Sequence, residues 1–370
     1  MDQISIWEQE TYYAPQDIII IGAGLTGMWT AIYLRQKFPS KKIMIVERGA
    51  IPAGASLRNA GFACFGSLTE ILSDVDLMGR EKALQLVQLR FEGLRTIQKV
   101  FGTASIDFSV CKGYELLSGD EYLKDLPLLN EWLYLVTGSP DTFVIADEKI
   151  ETFGFASVAH LIENRFEGSL HSGKLVNALF QLAVKMNIQF LFATEIREVE
   201  EQPNGIRLST ANGPGLRTEQ VIYCTNAFSN HLLPNADLVP ARGQVLLTEP
   251  IPDLKFTGTF HYQEGFYYFR NFNDRILLGG ARNTSLQTEY TLEAFTTLTI
   301  QQALEHFLHT VLLPGQQPAI THRWAGIMAM GKEKMPIVEQ LSDRSFCALR
   351  MSGMGVALAP AVAQKIAALF

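Results

Sequence analysis

The sequence contains few cysteines and no segment typical of export. Its four cysteines, at positions 64, 111, 224 and 347, are far apart and form no Cys-x-x-Cys pair. Such spacing is not that of a disulfide framework and favours a reducing compartment. The first ten residues, MDQISIWEQE, are acidic and lack the apolar core of a signal peptide. We therefore expect a cytoplasmic protein.

Basic residues and long apolar runs are also scarce. The chain has 31 Lys and Arg against 38 Asp and Glu, a net charge of −7. This balance argues against a nucleic-acid partner, because phosphate binding requires a basic face. No apolar run reaches the roughly 18 residues of a membrane-spanning helix, so we expect no transmembrane segment. Charged residues make up only 19%, which leaves surface for a contact with a second copy or with a membrane surface.

Residues 17–46 have the pattern of a β-α-β unit. The β-branched run at 17–21 predicts a strand buried on both faces, as in a parallel sheet. A helical pattern follows to about Lys37, and residues 43–46 predict a second buried strand.

The turn between the first strand and the helix carries a phosphate-binding motif. Gly22, Gly24 and Gly27 form G-x-G-x-x-G, and Glu47 lies 20 residues after the last glycine. In a dinucleotide site the glycines allow a tight turn and close approach to a pyrophosphate, and the acid binds a ribose. An ordinary glycine turn would not need the strand, helix and acid in this order. The predicted cofactor contacts are Gly22, Ala23, Gly24, Leu25, Thr26, Gly27 and Glu47.

The remaining pattern predicts an α/β fold (α+β overall), with the Rossmann-like domain interrupted by an antiparallel-sheet domain. We expect the first domain at 1–85, 155–238 and 320–370, and the second at 86–154 and 239–319. Helices are predicted at 80–100, 120–137, 173–186, 291–311 and 355–370. Strands are predicted at 188–192, 206–210, 220–224, 243–248, 266–269, 275–280 and 346–349, with a tight hairpin at Asn273 and Asp274.

The segment after Glu47 carries a more specific signal. Residues 54–61 read Gly-Ala-Ser-Leu-Arg-Asn-Ala-Gly. This stretch resembles the Gly-Ala-Ser-x-Arg-Asn-x-Gly segment of the D-amino-acid oxidase/glycine oxidase superfamily, although Leu57 replaces its usual glycine. The resemblance extends over essentially the whole chain and includes residues 168–175, 224–227, 240–244, 267–270, 278–282, 324–326 and 353–356. The sequence looks most like the subgroup that contains γ-glutamylputrescine oxidase.

The resemblance implies FAD as the cofactor of the first domain. Sarcosine oxidases of this superfamily attach their flavin to a cysteine, and residues 330–333, Met-Gly-Lys-Glu, offer none. We therefore expect noncovalent FAD. The helix after Gly353 would direct its N-terminus at the flavin and stabilise negative charge there. The further cofactor contacts implied are Arg48, Ala55, Ser56, Arg58, Asn59, Ala60, Gly61, Thr225, Gly326, Gly353, Met354, Gly355 and Val356.

The implied reaction is oxidation of a C–N bond of a small-molecule amine or amino acid by hydride transfer to flavin N5. Tyr268 and Arg270 share one face of a predicted strand and are our catalytic-site candidates, because Tyr supplies an aromatic wall and Arg binds carboxylates. His261 and Tyr262 are secondary candidates. Met328 stands where enzymes acting on small amino acids often carry a carboxylate-binding arginine. This substitution favours a larger amine or a substrate held by Arg270.

The electron acceptor stays open between oxygen, a quinone and another acceptor. Leu277 or Leu278 replaces the oxygen-activating lysine of sarcosine oxidases, which favours a dehydrogenase. Two other functions remain open: a nicotinamide-linked dehydrogenase, and a flavoprotein with a binding or assembly role and no turnover. We expect no metal site, because Glu305, His306 and His309 indicate a solvated helix face.

Overall fold

The computed structural model describes residues 4–370. The chain divides into two compact units. The first unit comprises the described residues up to Leu57, then Gly173–Pro240 and Met328–Phe370, and the second comprises Arg58–Ser172 and Ala241–Ile327. Residues 58–85, 155–172 and 320–327, which the sequence-based division assigned to the first domain, lie in the second unit.

The first unit is built on a sheet with a parallel centre. Gln16–Ile21 pairs in parallel with Ile43–Val46 on one side and with Leu216–Tyr223 on the other. Ile18, Ile19 and Ile20 are fully buried, as expected for strands covered on both faces. The strand order is Ile337–Gln340, Ser345–Leu349, Leu216–Tyr223, Gln16–Ile21, Ile43–Val46 and Gln189–Leu191. Gly205–Thr210 and Ile196–Gln202 extend the sheet in antiparallel fashion from Leu216–Tyr223.

The helices of the first unit begin and end close to their predicted positions. Leu25–Lys37 lies between the first two parallel strands, and most of its residues are buried. Lys37 Nζ donates a 3.0 Å hydrogen bond to the carbonyl oxygen of Ala367, which satisfies an acceptor in the last turn of the C-terminal helix. The helices are Ile6–Thr11, Leu25–Lys37, Ser172–Lys185 and Gly355–Ala368.

The second unit contains a mainly antiparallel sheet. Its strand order is Ile320–Met330, Val239–Thr248, Arg275–Gly280, Tyr267–Phe272, Thr259–Tyr262, Gly113–Leu117, His160–Asn164 and Phe143–Ile145. The predicted hairpin joins Tyr267–Phe272 to Arg275–Gly280, with Asn273 in the left-handed region at φ 56°. One sheet face is covered by stacked phenylalanines, among them Phe260 and Phe269, whose ring centroids are 4.6 Å apart.

Helices cover parts of this second sheet, and two of them begin later than predicted. The helix expected at 120–137 begins at Leu126, after a short 3-10 helix at Leu123–Asp125. The expected helix at 291–311 begins only at Leu298 and widens into a π-helical turn at Leu308–Leu312. Thr297 N donates to Gln244 Oε1 at 2.9 Å, so the side chain of another strand fixes the helix start. The helices are Leu68–Met78, Arg80–Phe101, Leu126–Thr137, Glu148–Phe153 and Leu298–Phe307, with shorter turns at Ala55–Arg58 and Leu286–Glu289.

Residues 48–66, which are rich in Gly, Ala, Ser and Asn and show no periodicity, contain regular structure. It includes the short helix Ala55–Arg58 and the strand Phe62–Ala63, which pairs with Gly168–Ser169. Two-residue pairing of this kind has no periodicity that a sequence pattern could show. Within residues 4–370, the structure has no helix with both the length and the apolar character needed to cross a bilayer.

Candidate active site

The glycine-rich turn has the conformation that the motif predicts. Gly22 has φ +109°, and a Cβ there would lie 2.8 Å from the carbonyl oxygen of Cys224. A Cβ at Gly27 would overlap the carbonyl oxygen of Gly22. Only glycine therefore lets the turn pass beside the neighbouring strand and lets the helix pack against the turn.

Glu47 is held rigidly at the end of the second parallel strand. Its Oε2 accepts a 2.9 Å hydrogen bond from Ala23 N, and its Oε1 accepts one of 3.0 Å from Gly49 N. An ionised carboxylate has about four acceptor sites. The side chain is thus fixed next to the glycine turn while retaining capacity for the hydroxyls of a ribose.

The N-terminus of helix Leu25–Lys37 is open to an anion. Its first turn carries no acidic side chain, and the free N–H groups and dipole of such a terminus favour negative charge. Ser56 Oγ accepts the 3.0 Å hydrogen bond of Leu25 N. A Cβ at Gly24 would lie 3.0 Å from that same Oγ, so the second glycine of the motif also makes room for Ser56.

Thr225 lies beside the glycine turn. A Cβ at Gly22 would be 3.6 Å from Thr225 N, and the Thr225 hydroxyl is hydrogen-bonded to Ser229 Oγ at 2.6 Å. The guanidinium of Arg48 stacks on the Phe228 ring, 3.7 Å from its centroid. Thr225 is therefore close to the predicted phosphate turn. The Arg48 guanidinium instead makes a cation–π contact with the Phe228 ring.

Residues 350–355 form a sharp turn before the C-terminal helix. Arg350, Ser352 and Gly353 all have positive φ angles, and Asn226 Oδ1 accepts hydrogen bonds from Arg350 N and Met351 N at 3.1 and 3.4 Å. Met354 then caps helix Gly355–Ala368 without a side-chain hydrogen bond. Ser352 is 8% exposed, and its hydroxyl has no partner among residues 4–370. A buried hydroxyl without a partner next to a helix N-terminus fits a polar ligand there.

Within the second unit, Arg58 and Gly326 are brought together. Arg58 Nη1 donates to the carbonyl oxygen of Ala325 at 2.8 Å, and Trp324 Nε1 donates to the carbonyl oxygen of Arg58 at 3.0 Å. A Cβ at Gly326 would lie 2.9 Å from Arg58 Cβ. These contacts explain why glycine follows Trp-Ala in this strand.

Asn59 and Gly61 shape the next part of the cofactor segment. Asn59 Oδ1 accepts hydrogen bonds from Gly61 N at 2.8 Å and from Ser172 Oγ at 2.6 Å. Gly61 has φ +71°, and a Cβ there would overlap the carbonyl oxygen of Leu170. Leu170 N in turn donates to the carbonyl oxygen of Gly61 at 2.8 Å. Ala60, between them, is 7% exposed.

Tyr268 stands among aromatic and aliphatic side chains on one face of the hairpin. The Phe62 ring meets it edge to face with centroids 5.8 Å apart. A Cβ at Gly279, directly across the hairpin, would overlap the Tyr268 ring, so this glycine creates the space for the ring. Desolvation raises the pKa of Tyr268 to about 12. The phenol is therefore neutral near pH 7 and can donate a hydrogen bond.

Arg270 is a buried cation without an acidic partner. It is 5% exposed, and no Asp or Glu in the described part of the chain forms an ion pair with it. Its Nη2 donates to the carbonyl oxygen of Leu170 at 3.1 Å, while Nε has no partner within residues 4–370. Burial lowers the pKa of Arg270 to about 10, because desolvation disfavours its charged form.

The two secondary candidates, His261 and Tyr262, lie on opposite faces of the sheet. His261 is buried, contacts the Phe62 ring at 5.4 Å between centroids, and forms a 3.0 Å contact with Glu167 Oε2. Tyr262 instead packs on the Phe307 ring at 5.1 Å in the core of the opposite sheet face. Leu277 joins the cluster that contains Tyr268, whereas Leu278 belongs to the core with Phe307.

Two residues that sequence reasoning missed help to build this region. Phe62 links His261 to Tyr268 through edge contacts, and the backbone of Leu170 contacts both Gly61 and Arg270. Phe62 directly follows the motif at 54–61, and Leu170 lies in the stretch 168–175 that also carries the family resemblance, but the sequence assigned neither residue a role. Their roles follow from their position in the fold.

A family model for FAD dependent oxidoreductases, named DAO, matches residues 17–369. The chain belongs to the DAO family. It is therefore an FAD-dependent oxidoreductase with a Rossmann-like fold, as the glycine motif and the α/β prediction indicated, and the nicotinamide-linked alternative is set aside. A comparison with curated protein sequences gave no match.

Several solved structures share the fold of this DAO family member. L-proline dehydrogenase from P. horikoshii has a TM-score of 0.78 at 18% identity, covering 96% of this chain and 93% of that one. Glycine oxidase from Geobacillus kaustophilus has a TM-score of 0.77 at 19% identity, covering 96% and 94%. L-α-glycerophosphate oxidase from Mycoplasma pneumoniae, solved with FAD bound, has a TM-score of 0.75 at 14% identity, covering 95% and 94%.

Proposed function

We propose that this DAO family member oxidises the C–N bond of an amine that carries a carboxylate group, as an amino-acid or amine oxidoreductase. The γ-glutamylputrescine oxidase-like subgroup is the nearest functional comparison that the sequence motifs suggest. The similar folds of L-proline dehydrogenase and glycine oxidase are consistent with a substrate of this class.

Arg270 is the observation that carries the proposal. A guanidinium that is 95% buried with no acidic partner among residues 4–370 has lost most of its hydration without a compensating charge. A carboxylate is the ligand that best compensates, because it matches the planar fork of donors. The Nε without a partner supplies one such donor.

Tyr268, two residues before Arg270 and on the same face of the strand, supports the same conclusion. Its neutral phenol can donate to a polar substrate group, and its ring offers an apolar wall beside the aliphatic chain of an amine. The ring occupies the space that a side chain at position 279 would fill. Recognition would thus combine one cation, one hydroxyl and apolar surface, a common composition for small-molecule sites.

FAD is proposed to bind without a covalent link, on the glycine turn, Glu47, Ser56 and Thr225, with the turn at 353–356. The rigid Glu47, the open helix N-terminus and the Ser352 hydroxyl without a partner fit this group. When bound, this group would supply the hydride acceptor for oxidation of an amine to an imine, which water then hydrolyses. No side chain of this chain needs to act as a strong base if the amine arrives unprotonated.

Anaerobic reduction tests the proposal. The purified yellow protein is mixed under anaerobic conditions with matched pairs of amines that differ only in a carboxylate, together with N-methyl amino acids and D-amino acids. We expect bleaching of the flavin absorbance by carboxylate-bearing amines and much slower bleaching by their carboxylate-free partners.

Two outcomes would contradict it. Equal bleaching by both members of each pair would remove the carboxylate from the recognition scheme. If no amine bleaches a flavin that dithionite reduces normally, the remaining alternative is a flavoprotein with a binding or assembly role.

A further inference from the structure

A separate group of side chains with metal-ligand chemistry lies in the interior of the second unit. Cys64, Glu167 and His261 are 4%, 1% and 5% exposed. Their donor atoms, a thiol sulfur, a carboxylate oxygen and an imidazole nitrogen, all lie within 4.8 Å of one another. His261 Nε2 and Glu167 Oε2 are 3.0 Å apart. The proposed function uses none of these three side chains.

The Glu167 carboxylate is held in one orientation. Asn164 Nδ2 donates to Oε1 at 3.4 Å, and Thr259 Oγ1 donates to Oε2 at 3.3 Å. A Cβ at Gly113 would overlap Oε2, so the strand beside the carboxylate needs glycine to admit it. Polar partners that orient a ligand in this way are typical of metal sites.

The charges around the cluster favour a cation. His261 is paired across the sheet with Glu115, which is 2% exposed and accepts hydrogen bonds from Ser67 and Thr69. Among residues 4–370, no Lys or Arg forms an ion pair with Glu115 or Glu167. Buried carboxylates without positive partners are unfavourable.

Three basic residues of the same unit form ion pairs with other acids. Arg90 contacts Glu70 and Asp74 at 3.4 and 3.9 Å. Lys112 and Lys149 both bind Glu163. The cluster and its surroundings therefore contain two buried carboxylates, those of Glu115 and Glu167, and the Cys64 thiol, with His261 as the one imidazole.

We propose that Cys64, Glu167 and His261 bind one divalent transition-metal ion of the Zn²⁺ type. Thiolate, imidazole and carboxylate are the donors that Zn²⁺ takes in proteins. On binding, the thiol of Cys64 releases its proton, so thiolate and carboxylate together balance the two positive charges of the ion.

Such an ion would connect three segments that are distant in sequence. It would join the strand end after Phe62–Ala63, the turn before Gly168–Ser169 and the strand Thr259–Tyr262. The His261 ring meets Phe62 edge to face, and Phe62 meets Tyr268 in the same way. Binding would therefore raise the thermal stability of the protein and fix the side chains behind Tyr268.

Elemental analysis of the flavin-containing protein tests the site. The full chain is equilibrated with ZnCl₂, passed through a desalting column and analysed for zinc. We expect about one zinc per chain, a raised midpoint of thermal unfolding, and at least a tenfold lower affinity in Cys64→Ala and His261→Gln, in line with the effect of losing ligands or their supports. Cys111→Ala is the matched control, because Cys111 is a partly buried cysteine of the same unit that bonds Ser169 instead.

Co²⁺ supplies a second readout that does not depend on the variants folding. Co²⁺ bound at this site should give the thiolate-to-cobalt absorption in the wild-type protein, and Zn²⁺ should displace it. Absence of zinc in the wild type would overturn the proposal. So would zinc retained equally by Cys64→Ala, or bound Co²⁺ without a thiolate band.

Discussion

The guanidinium of Arg270 donates a 3.1 Å hydrogen bond to the carbonyl oxygen of Leu170, the residue whose amide binds the carbonyl oxygen of Gly61. A Cβ at Gly61 would lie 3.0 Å from Arg270 Nη2. The arginine is thus positioned by backbone, and no acidic side chain neutralises it in the described residues. One nitrogen of the fork anchors the side chain, and Nε is left for a ligand.

Arg270→Met should weaken capture of a carboxylate-bearing amine. Truncating one partner of a buried charged pair costs about 2–5 kcal/mol, which we expect to appear as a loss of kcat/KM. Steady-state kinetics with a carboxylate-bearing amine and its carboxylate-free partner measure this difference, and only the first substrate should be affected.

Two controls keep that result interpretable. Arg275→Met removes an arginine of the adjacent strand that bonds Thr248 and Thr321, and it should leave kcat/KM nearly unchanged. Flavin content of Arg270→Met should match the wild type. Loss of FAD in this variant, or an unchanged kcat/KM for the true substrate, would make Arg270 a structural residue.

Acid precipitation should release the flavin into the supernatant, because residues 330–333 contain no cysteine for a covalent link. Gly24→Val should abolish FAD binding, since a branched side chain would meet Ser56 Oγ and the space next to the helix N-terminus. Gly54→Ala is the control, because a Cβ at this position has no atom within 4 Å. Flavin that stays with the precipitated chain would disprove the noncovalent link.

Reoxidation of the reduced protein by oxygen should be slow compared with reoxidation by an artificial dye or a quinone. Leu277 lies in register with Arg270 and packs in the cluster that contains Tyr268, so it supplies no positive charge there. Stopped-flow mixing with air-saturated buffer measures the rate. Leu277→Lys should accelerate the oxygen reaction, and rapid reoxidation of the wild type would refute this prediction.

His160 should make the stability of the second unit depend on pH. Its Nδ1 contacts Asp147 Oδ2 at 2.7 Å and its Nε2 contacts Asp120 Oδ1 at 2.8 Å. Hydrogen bonds that the ring donates to Asp147 and then to Asp120 raise the pKa of His160. Because the pKa of His160 is raised in the folded state, its contribution to the free energy of unfolding is fully present below the unfolded pKa of about 6.5. That contribution is lost as pH rises through the folded pKa.

Thermal midpoints of wild type and His160→Gln measure this effect across pH. The difference should be largest below about pH 6.5 and should shrink at higher pH. His322→Gln, which replaces an exposed histidine, is the matched control. A difference that grows as pH rises would contradict the assignment.

Local chemistry made much of the first unit predictable. The sequence predicted three elements to within one residue: the strand Gln16–Ile21, the helix to Lys37 and the strand Ile43–Val46. Buried strands and a glycine turn require particular residue types at consecutive positions, and such runs are visible in the sequence. Glu47 was found for the same reason. The helix at 291–311 was predicted too long, because the side chain of Gln244, 53 residues away, sets its start at Thr297.

The sequence by itself determined the family, the cofactor class and the hairpin that carries Tyr268 and Arg270, since each depends on short contiguous motifs. Only the tertiary structure decided that Arg270 is buried without an acid, that Leu277 rather than Leu278 shares its face with Tyr268, and that Cys64, Glu167 and His261 meet. Glu167 and His261 are 94 residues apart in the chain. Burial and pairing of this kind depend on which strands become neighbours, and long-range packing fixes that.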